Sequence, residues 1–292
     1  MTASEPTAEE LLDRCSNLGR WGNDDELGTL NLIDASVVRR GVAVVTAGEV
    51  VALGRLPSPG TSVDGMTPVT LEVYQGPQRR DALDRQTIVT HGYAVTHLDA
   101  LGHSFFSGRA YNGRHPDNVV RREGLTFAGI DAMAGGIVTR GVLLDVTAVR
   151  GKALSAEDAV TADDLDAAER RADVVVSTGD AVVVRTGVTG PPSSEGRRGG
   201  LVASAVEWLY RRDVALYAGD CIERLTPEAT AMPMVLHQVG HVAMGLAILD
   251  NPDVEALADA CRRHQRAQFL LVVAPLGLRG ATGCAVNPLA VF

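Results

Sequence analysis

The run of apolar and polar positions along this chain changes character many times, and each change marks an element. Residues 34–47 look helical, and 49–56 read as a strand that stops at Pro57. Residues 58–68 are rich in Pro, Gly and Ser and read as a loop, and 69–75 alternate as a strand does. A charged turn spans 76–84, and 86–90 lead into a histidine-rich stretch. Residues 136–147 hold two apolar pieces split by Arg140 and Gly141, the pattern of a strand with a bulge. Residues 161–172 form an amphipathic helix with Asp163 and Asp164 in the first turn, where the helix dipole favours negative charge.

Further on, 180–187 read as a buried strand and 189–200 as a mobile Gly/Pro/Ser-rich loop. A helix (203–212), a strand (214–218) and a Pro-bounded loop (225–233) come next. A helix starts at His237 and is expected to continue through Ile248 to Asp250, followed by a helix over 253–266 and a strand over 269–274. The C-terminus is Gly-rich and then apolar, as a tail folded into the body is. Strands and helices intermingle with no repeat and no dividing linker. The expectation is therefore α/β: a single domain with a mixed central sheet, helices packed on it, and a site at the strand ends. Residues 1–20 form a polar lead-in whose short helix (7–17) docks through Leu11 and Leu12, and 21–292 form the domain.

The densest chemistry lies between His91 and His103, which with His97 and Asp99 put three of the seven histidines beside a carboxylate. Imidazole and carboxylate are ligands for Zn²⁺ and are compatible with Mn²⁺, so the run is a candidate metal or acid/base site. His97 and Asp99 share a face if the chain is extended, and Asp99 and His103 share one if it is helical. Both hold at a strand-to-helix junction, with the helix N-terminus facing the site. The competing reading is a set of surface or capping histidines with Asp99 as an N-cap.

Composition narrows the function. With 46% hydrophobic and 22% charged residues in 292, the chain has an ordinary soluble composition, and a net charge of −9 argues against general nucleic-acid binding and a polybasic membrane face. Cys15, Cys221, Cys261 and Cys284 form no Cys-x-x-Cys pair and read as free thiols. Neither an apolar leader nor a membrane-length apolar run is visible, so a cytoplasmic location is the default expectation. Trp21 stands in an acidic, glycine-containing segment as either the aromatic wall of a ligand pocket or an anchor. Phe105, Phe106 and Tyr111, directly after the histidines, suit a pocket wall or a hydrophobic plug. Arg140 and Arg185, beside strands, are either surface charges, the commoner case, or holders of a substrate carboxylate. His241, four residues after His237, reads as a core residue or one that supports the ligands from behind, because Gln238 stands where a metalloprotease helix has Glu. His115 and His264 read as solvated.

His-x-Asp-x₃-His at His97, Asp99 and His103 does not stand alone. The Arg-Trp-Gly opening at Arg20, the Gly-Asp-Ala-Val-Val-Val-Arg-Thr-Gly segment and the closing Thr-Gly-Cys-x-Val-Asn-Pro-Leu-Ala-Val-Phe occur with it. Together these segments resemble the cyclase family of metal-dependent hydrolases, which includes bacterial kynurenine formamidases and isatin hydrolases. The resemblance implies a swivelling β/β/α fold, a divalent metal (Zn or Mn), a homo-oligomer, and hydrolysis of a cyclic or aryl amide or a lactone. It implies metal ligands among His97, Asp99 and His103, with His237 and Asp250 completing a two-metal site, and His103 or His237 as proton carrier. The family's first motif histidine falls on Tyr93, and His91 is the nearest substitute. Tyr93, Trp21, Phe105, Phe106 and Tyr111 then become candidates to enclose a small-molecule substrate. Two other readings share these residues: a natural-product cyclase or dehydratase, and a metal-free binding protein.

Overall fold

In a computed structural model, residues 8–63, 65–188, 190–228 and 232–292 are described. Residue 7, at the expected start of the first helix, lies outside them, as do parts of the expected loops at 64, 189 and 229–231.

The strands that carry the fold are β1 (Val50–Ala52), β2 (Val69–Gln75), β3 (Ala82–Ile88), β4 (His97–Asp99), β5 (Ile137–Asp145), β6 (Ala181–Arg185), β7 (Leu216–Gly219), β8 (Ala247–Asp250), β9 (Gln268–Val273), β10 (Gly283–Ala285) and β11 (Leu289–Val291). All but β2 and β3 join one nine-stranded sheet in the order β1-β11-β9-β5-β6-β7-β8-β4-β10. Its centre, β5 to β8, is parallel, and the strands on either side run antiparallel.

The parallel strands are apolar at nearly every position because both of their faces are covered. Alternate residues go to different cores. Leu143, Val183 and Leu249 meet one core together with α5 (Val254–His264). Leu144, Val182 and Ile248 meet the other, together with α3 (Ala162–Arg171) and α4 (Ala203–Arg211). α1 (Ala8–Arg14) belongs to this second core, where Leu11 is buried, and α2 (Ala35–Ala43) packs on β5 behind an Asp34 N-cap. α3 starts at Thr161 with a capping box in which Thr161 and Asp164 bond each other's backbone N–H.

Several expectations need correction. β5 carries no bulge: residues 137–142 pair with β9 in unbroken register, and Gly141 is required because a Cβ there would meet the Phe269 ring at 2.3 Å. The helix begun near His237 ends at Met244 with Gly245 at φ +65°, and the next residues form β8. β3 takes up the end of the expected charged turn. β2 and β3 form a separate hairpin that exposes Leu71, Val73, Tyr74 and Leu83. His264 is not solvated; its Nε2 lies 2.6 Å from Glu49 and its ring stacks on Phe292. The C-terminal tail is folded in as expected, with Phe292 fully buried. Among the described residues no helix is long and apolar enough to cross a membrane.

Candidate metal centre

β4 is three residues long, yet its register fixes the site: His97 pairs with Asp250 on β8 and with Ala285 on β10. An extended chain puts His97 and Asp99 on one face, as expected. The chain leaves β4 in a 3₁₀ turn, Leu101–His103, and not in the expected α-helix, so no long helix N-terminus faces the site. The turn brings His103 over His91, the rings stacked at 3.9 Å between centroids and 5° between planes.

A nine-residue π-helix, Leu236–Met244, brings His237 and His241 in from the other side. Such wide helices are rare and concentrate at functional sites. The two rings lie 5.6 Å apart, and each is within 6.4 Å of His103.

Three imidazoles are each held at one nitrogen and presented at the other. His97 Nδ1 faces the Val95 carbonyl at 2.8 Å, which must accept, so Nε2 carries the lone pair. His237 Nδ1 lies 2.9 Å from Glu223 Oε2, which also accepts from the His237 backbone N–H. His91 Nε2 is bonded to Thr282 Oγ1, leaving Nδ1 free. The presented nitrogens surround Asp99: His91 Nδ1 at 3.0 Å, His97 Nε2 at 3.5 Å and His237 Nε2 at 3.5 Å. Asp250 Oδ2 lies 3.8 Å from His237 Nε2 and 3.9 Å from His97 Nε2.

These close approaches are not hydrogen bonds. Both oxygens of Asp99, Oδ1 of Asp250, Nδ1 of His91 and both ring nitrogens of His241 are buried without a hydrogen-bond partner. Nitrogens and carboxylate oxygens that converge at such distances outside hydrogen-bond geometry fit a cation, because buried polar groups otherwise find partners. Two triplets satisfy the test, His91–His97–Asp99 and Asp99–His237–Asp250, each with its ligand atoms within 4.8 Å of one another. The mixed imidazole and carboxylate donors suit a first-row divalent ion.

Without a cation the same charges act on protons. Burial alone would push Asp99 up, but His237 and His91, then His97 and His103, hold it well below the usual carboxylate range. Burial pushes Asp250 up to about 6, with Asp99 adding to the rise and His237 and His97 opposing it. Burial would lower His237, and Glu223, Asp99 and Asp250 together drive it well above the usual imidazole value. Burial takes His103 down to about 4 and His241 to about 3, so both rings are neutral at neutral pH.

Of the residues singled out in the sequence, His91, His97, Asp99, His103, His237 and Asp250 come together. His103 belongs to neither triplet and stands beside them as a free base. Tyr93 stands beside the centre and is half-buried. Its ring lies under Arg198, 5.1 Å from the guanidinium, with its hydroxyl in electrostatic reach of Glu223, Asp250 and His237. Trp21 is half-buried and stacks with its neighbour Arg20, which is held by Asp213. Tyr111 is buried, bonds Asp25 and packs on Gly245, which is the plug reading. Phe105 is exposed, and Phe106 lines a separate cleft with Leu12, Leu18 and Val242. Arg140 is committed to Asp180, and Arg185 to Asp145 and Glu255, so neither is available to a substrate. Glu223 was missed as a site residue, and His241 stands beside the centre where the sequence offered a core or supporting role. The only trace of Glu223 in the sequence is an acid shortly after an apolar parallel strand.

Residues 33–224 match the Cyclase family model. Among solved structures, a novel cyclase superposes with a TM-score of 0.83 at 24% identity, over 95% of this chain and 99% of its own. Isatin hydrolase A from Labrenzia aggregata, bound to benzyl benzoate, gives a TM-score of 0.62 at 18% identity, over 87% of this chain and 96% of its own. An isatin hydrolase bound to the product analogue thioisatinate gives 0.60 at 16% identity, over 88% and 98%. No curated protein matches the sequence. The fold is thus that of these enzymes, the family match covers most of the chain, and the protein belongs to the cyclase family.

Proposed function

We propose that the protein is a metal-dependent hydrolase of a cyclic or aryl amide, or of a lactone. The observation that carries the reading is Asp99, fully buried, ringed by three imidazole nitrogens and bonded to none. His91, His97 and Asp99 would hold one divalent ion, and Asp99, His237 and Asp250 a second. When bound, the metal supplies Lewis acidity for the carbonyl and makes water easier to deprotonate.

The chain's own residues do the rest. His103, neutral because it is buried, accepts a proton from the attacking water at a ring nitrogen. The water oxygen bonds to the carbonyl carbon, the C–N or C–O bond breaks, and His103 returns the proton to the departing nitrogen or oxygen. The stack on His91 fixes the ring of His103 for both transfers. Glu223 fixes the orientation of His237, as carboxylates commonly do for metal-binding imidazoles. Tyr93, beneath Arg198, forms a wall on the substrate side. The partners in this reading are a small-molecule substrate and a second copy of the chain that covers the exposed face of the β2–β3 hairpin. Light scattering on the eluted protein tests the latter, and a monomer sinks it.

The test of the activity is elemental analysis of the purified protein together with hydrolysis assays on aryl formamides, isatin and aryl lactones. Bound zinc or manganese and hydrolysis that disappear together in His97→Ala and Asp99→Asn are expected. Full activity after chelation, or no turnover by the metal-loaded protein on any of the three classes, would overturn the reading.

A further inference from the structure

Addition of water to a carbonyl carbon moves an electron pair onto the carbonyl oxygen, and a hydrogen-bond donor fixed at that oxygen lowers the barrier. The residues around the metal centre supply few donors. Asp99, Asp250 and Glu223, as carboxylates, only accept. His91, His97 and His237 each commit one ring nitrogen to Thr282, Val95 or Glu223 and turn the other to the triplets. His103 is the base, and His241 is fully buried.

Tyr93 remains, and the loop that carries it is fixed at several points. Upstream, His91 is held by Thr282; downstream, the Val95 carbonyl faces His97 Nδ1. Asn251, next to Asp250 at the end of β8, donates from Nδ2 to the Gly92 carbonyl at 2.7 Å and to the Val95 carbonyl at 3.3 Å. Gly92 turns the chain at φ +116°, which a residue with a side chain rarely adopts. Both flanks of Tyr93 are thus tied to the segments that carry the metal ligands.

The side chain is held as well. Arg198 is buried and, among the described residues, has no ion-pair partner: Nε and Nη2 donate to the carbonyls of Gly190 and Asp220, and Nη1 has no hydrogen bond. Its guanidinium carbon stands 5.1 Å from the centre of the Tyr93 ring, which meets the unpaired charge in a cation–π contact. The Tyr93 hydroxyl, in electrostatic reach of His237, Asp250 and Glu223, is not sealed from solvent and makes no hydrogen bond among the described residues. It is an oriented donor without an acceptor.

We propose that Tyr93 is a catalytic residue of the hydrolysis, its hydroxyl donating a hydrogen bond to the carbonyl oxygen of the amide or lactone, with Arg198 as the residue that positions its ring. The inference rests on the hydrolytic reading of the metal centre. The hydrogen bond strengthens as the π pair of the carbonyl moves onto oxygen, and relaxes when that pair returns and the C–N or C–O bond to the leaving group breaks. The phenol keeps its proton throughout.

The test compares the parent with Tyr93→Phe, which keeps the ring and removes only the oxygen. The substrates are whichever of aryl formamide, isatin or aryl lactone the parent turns over, and its thiocarbonyl counterpart. A fall in kcat of about 100-fold is expected on the oxygen substrate, with KM changed by less than about threefold and metal content unchanged. On the thiocarbonyl substrate, whose sulfur accepts poorly, the two proteins should differ by less than about tenfold. Monomethyl phenylphosphonate, a tetrahedral oxyanion resembling the adduct, should bind Tyr93→Phe about tenfold less tightly by calorimetry. Arg198→Gln should lower kcat by about tenfold in the parent and leave it unchanged in Tyr93→Phe, as a residue acting through another must.

Four results overturn the proposal and leave the hydrolytic reading standing: undiminished kcat in Tyr93→Phe, a loss confined to KM, a loss that follows the metal content, or an equal loss on the thiocarbonyl substrate. Equal losses from Arg198→Gln in both backgrounds overturn the positioning role. No turnover by the metal-loaded parent on any substrate class overturns both readings.

Discussion

Asp99 and Asp180 are both fully buried, and the chain treats them in opposite ways. Asp180 accepts bonds from Arg140 Nε and Nη2, from Arg40 Nη2 and from the Ser177 N–H, so its charge is matched within the fold. Asp99 has nitrogens at 3.0–3.5 Å on three sides and accepts from none of them. One carboxylate is complete without help and ties α2, β5 and the turn before β6 together. The other is arranged for a charge brought from outside, and that contrast separates a structural acid from a functional one more sharply than burial does.

The comparison can be broken by exchanging the consequences. Asp180→Ala strands two arginines and should cost about 3–5 kcal/mol in urea unfolding while leaving metal stoichiometry intact. Metal loss without destabilisation would reverse the assignment. Asp99→Asn should fall on function: hydrolysis drops by at least about 100-fold and metal content is lost.

His91→Ala sharpens the site itself, with an expected loss of roughly 10- to 100-fold in metal affinity, whereas Tyr93→Phe should leave affinity unchanged. Equal losses in the two variants would put the Tyr93 hydroxyl on the metal. A third acid sets the lower end of the scale. Burial pushes Asp164 up, but Arg150 and the Thr161 N–H and hydroxyl outweigh it and hold the carboxyl below its usual value. Its contribution is therefore present above the unfolded value of about 3.9 and lost as pH falls through the lower folded value. Asp164→Asn should cost about 1 kcal/mol near neutral pH, and the gap to the parent should close in strong acid.

Much of the site was legible because its first half is local. His91, His97, Asp99 and His103 lie in one short stretch, and the alternation of an extended chain is enough to put His97 and Asp99 together. Asp250 was legible as a candidate only through the family resemblance, and its setting was misread. The run from Met244 to Leu249 is apolar throughout, which suits a buried helix or a buried strand equally. Gly245 at φ +65° and the pairing with β7 and β4 decide for the strand. The supposed bulge in β5 had the same origin: Gly141 makes room for Phe269, a neighbour that no local pattern announces. The orientation of His237 by Glu223 depends on a π-helix, which local periodicity does not predict.

The position of β4 between β8 and β10 also ties the metal centre to the last part of the chain. The triplet His91–His97–Asp99 is short in sequence, yet His91 is held by Thr282 and β4 pairs with β10, so its geometry waits on residues near the C-terminus. The triplet Asp99–His237–Asp250 joins segments well over a hundred residues apart and exists only once β8 has docked against β4 in register. Both triplets therefore depend on closure of the same edge of the sheet, and capture of either ion would mark the completion of the fold.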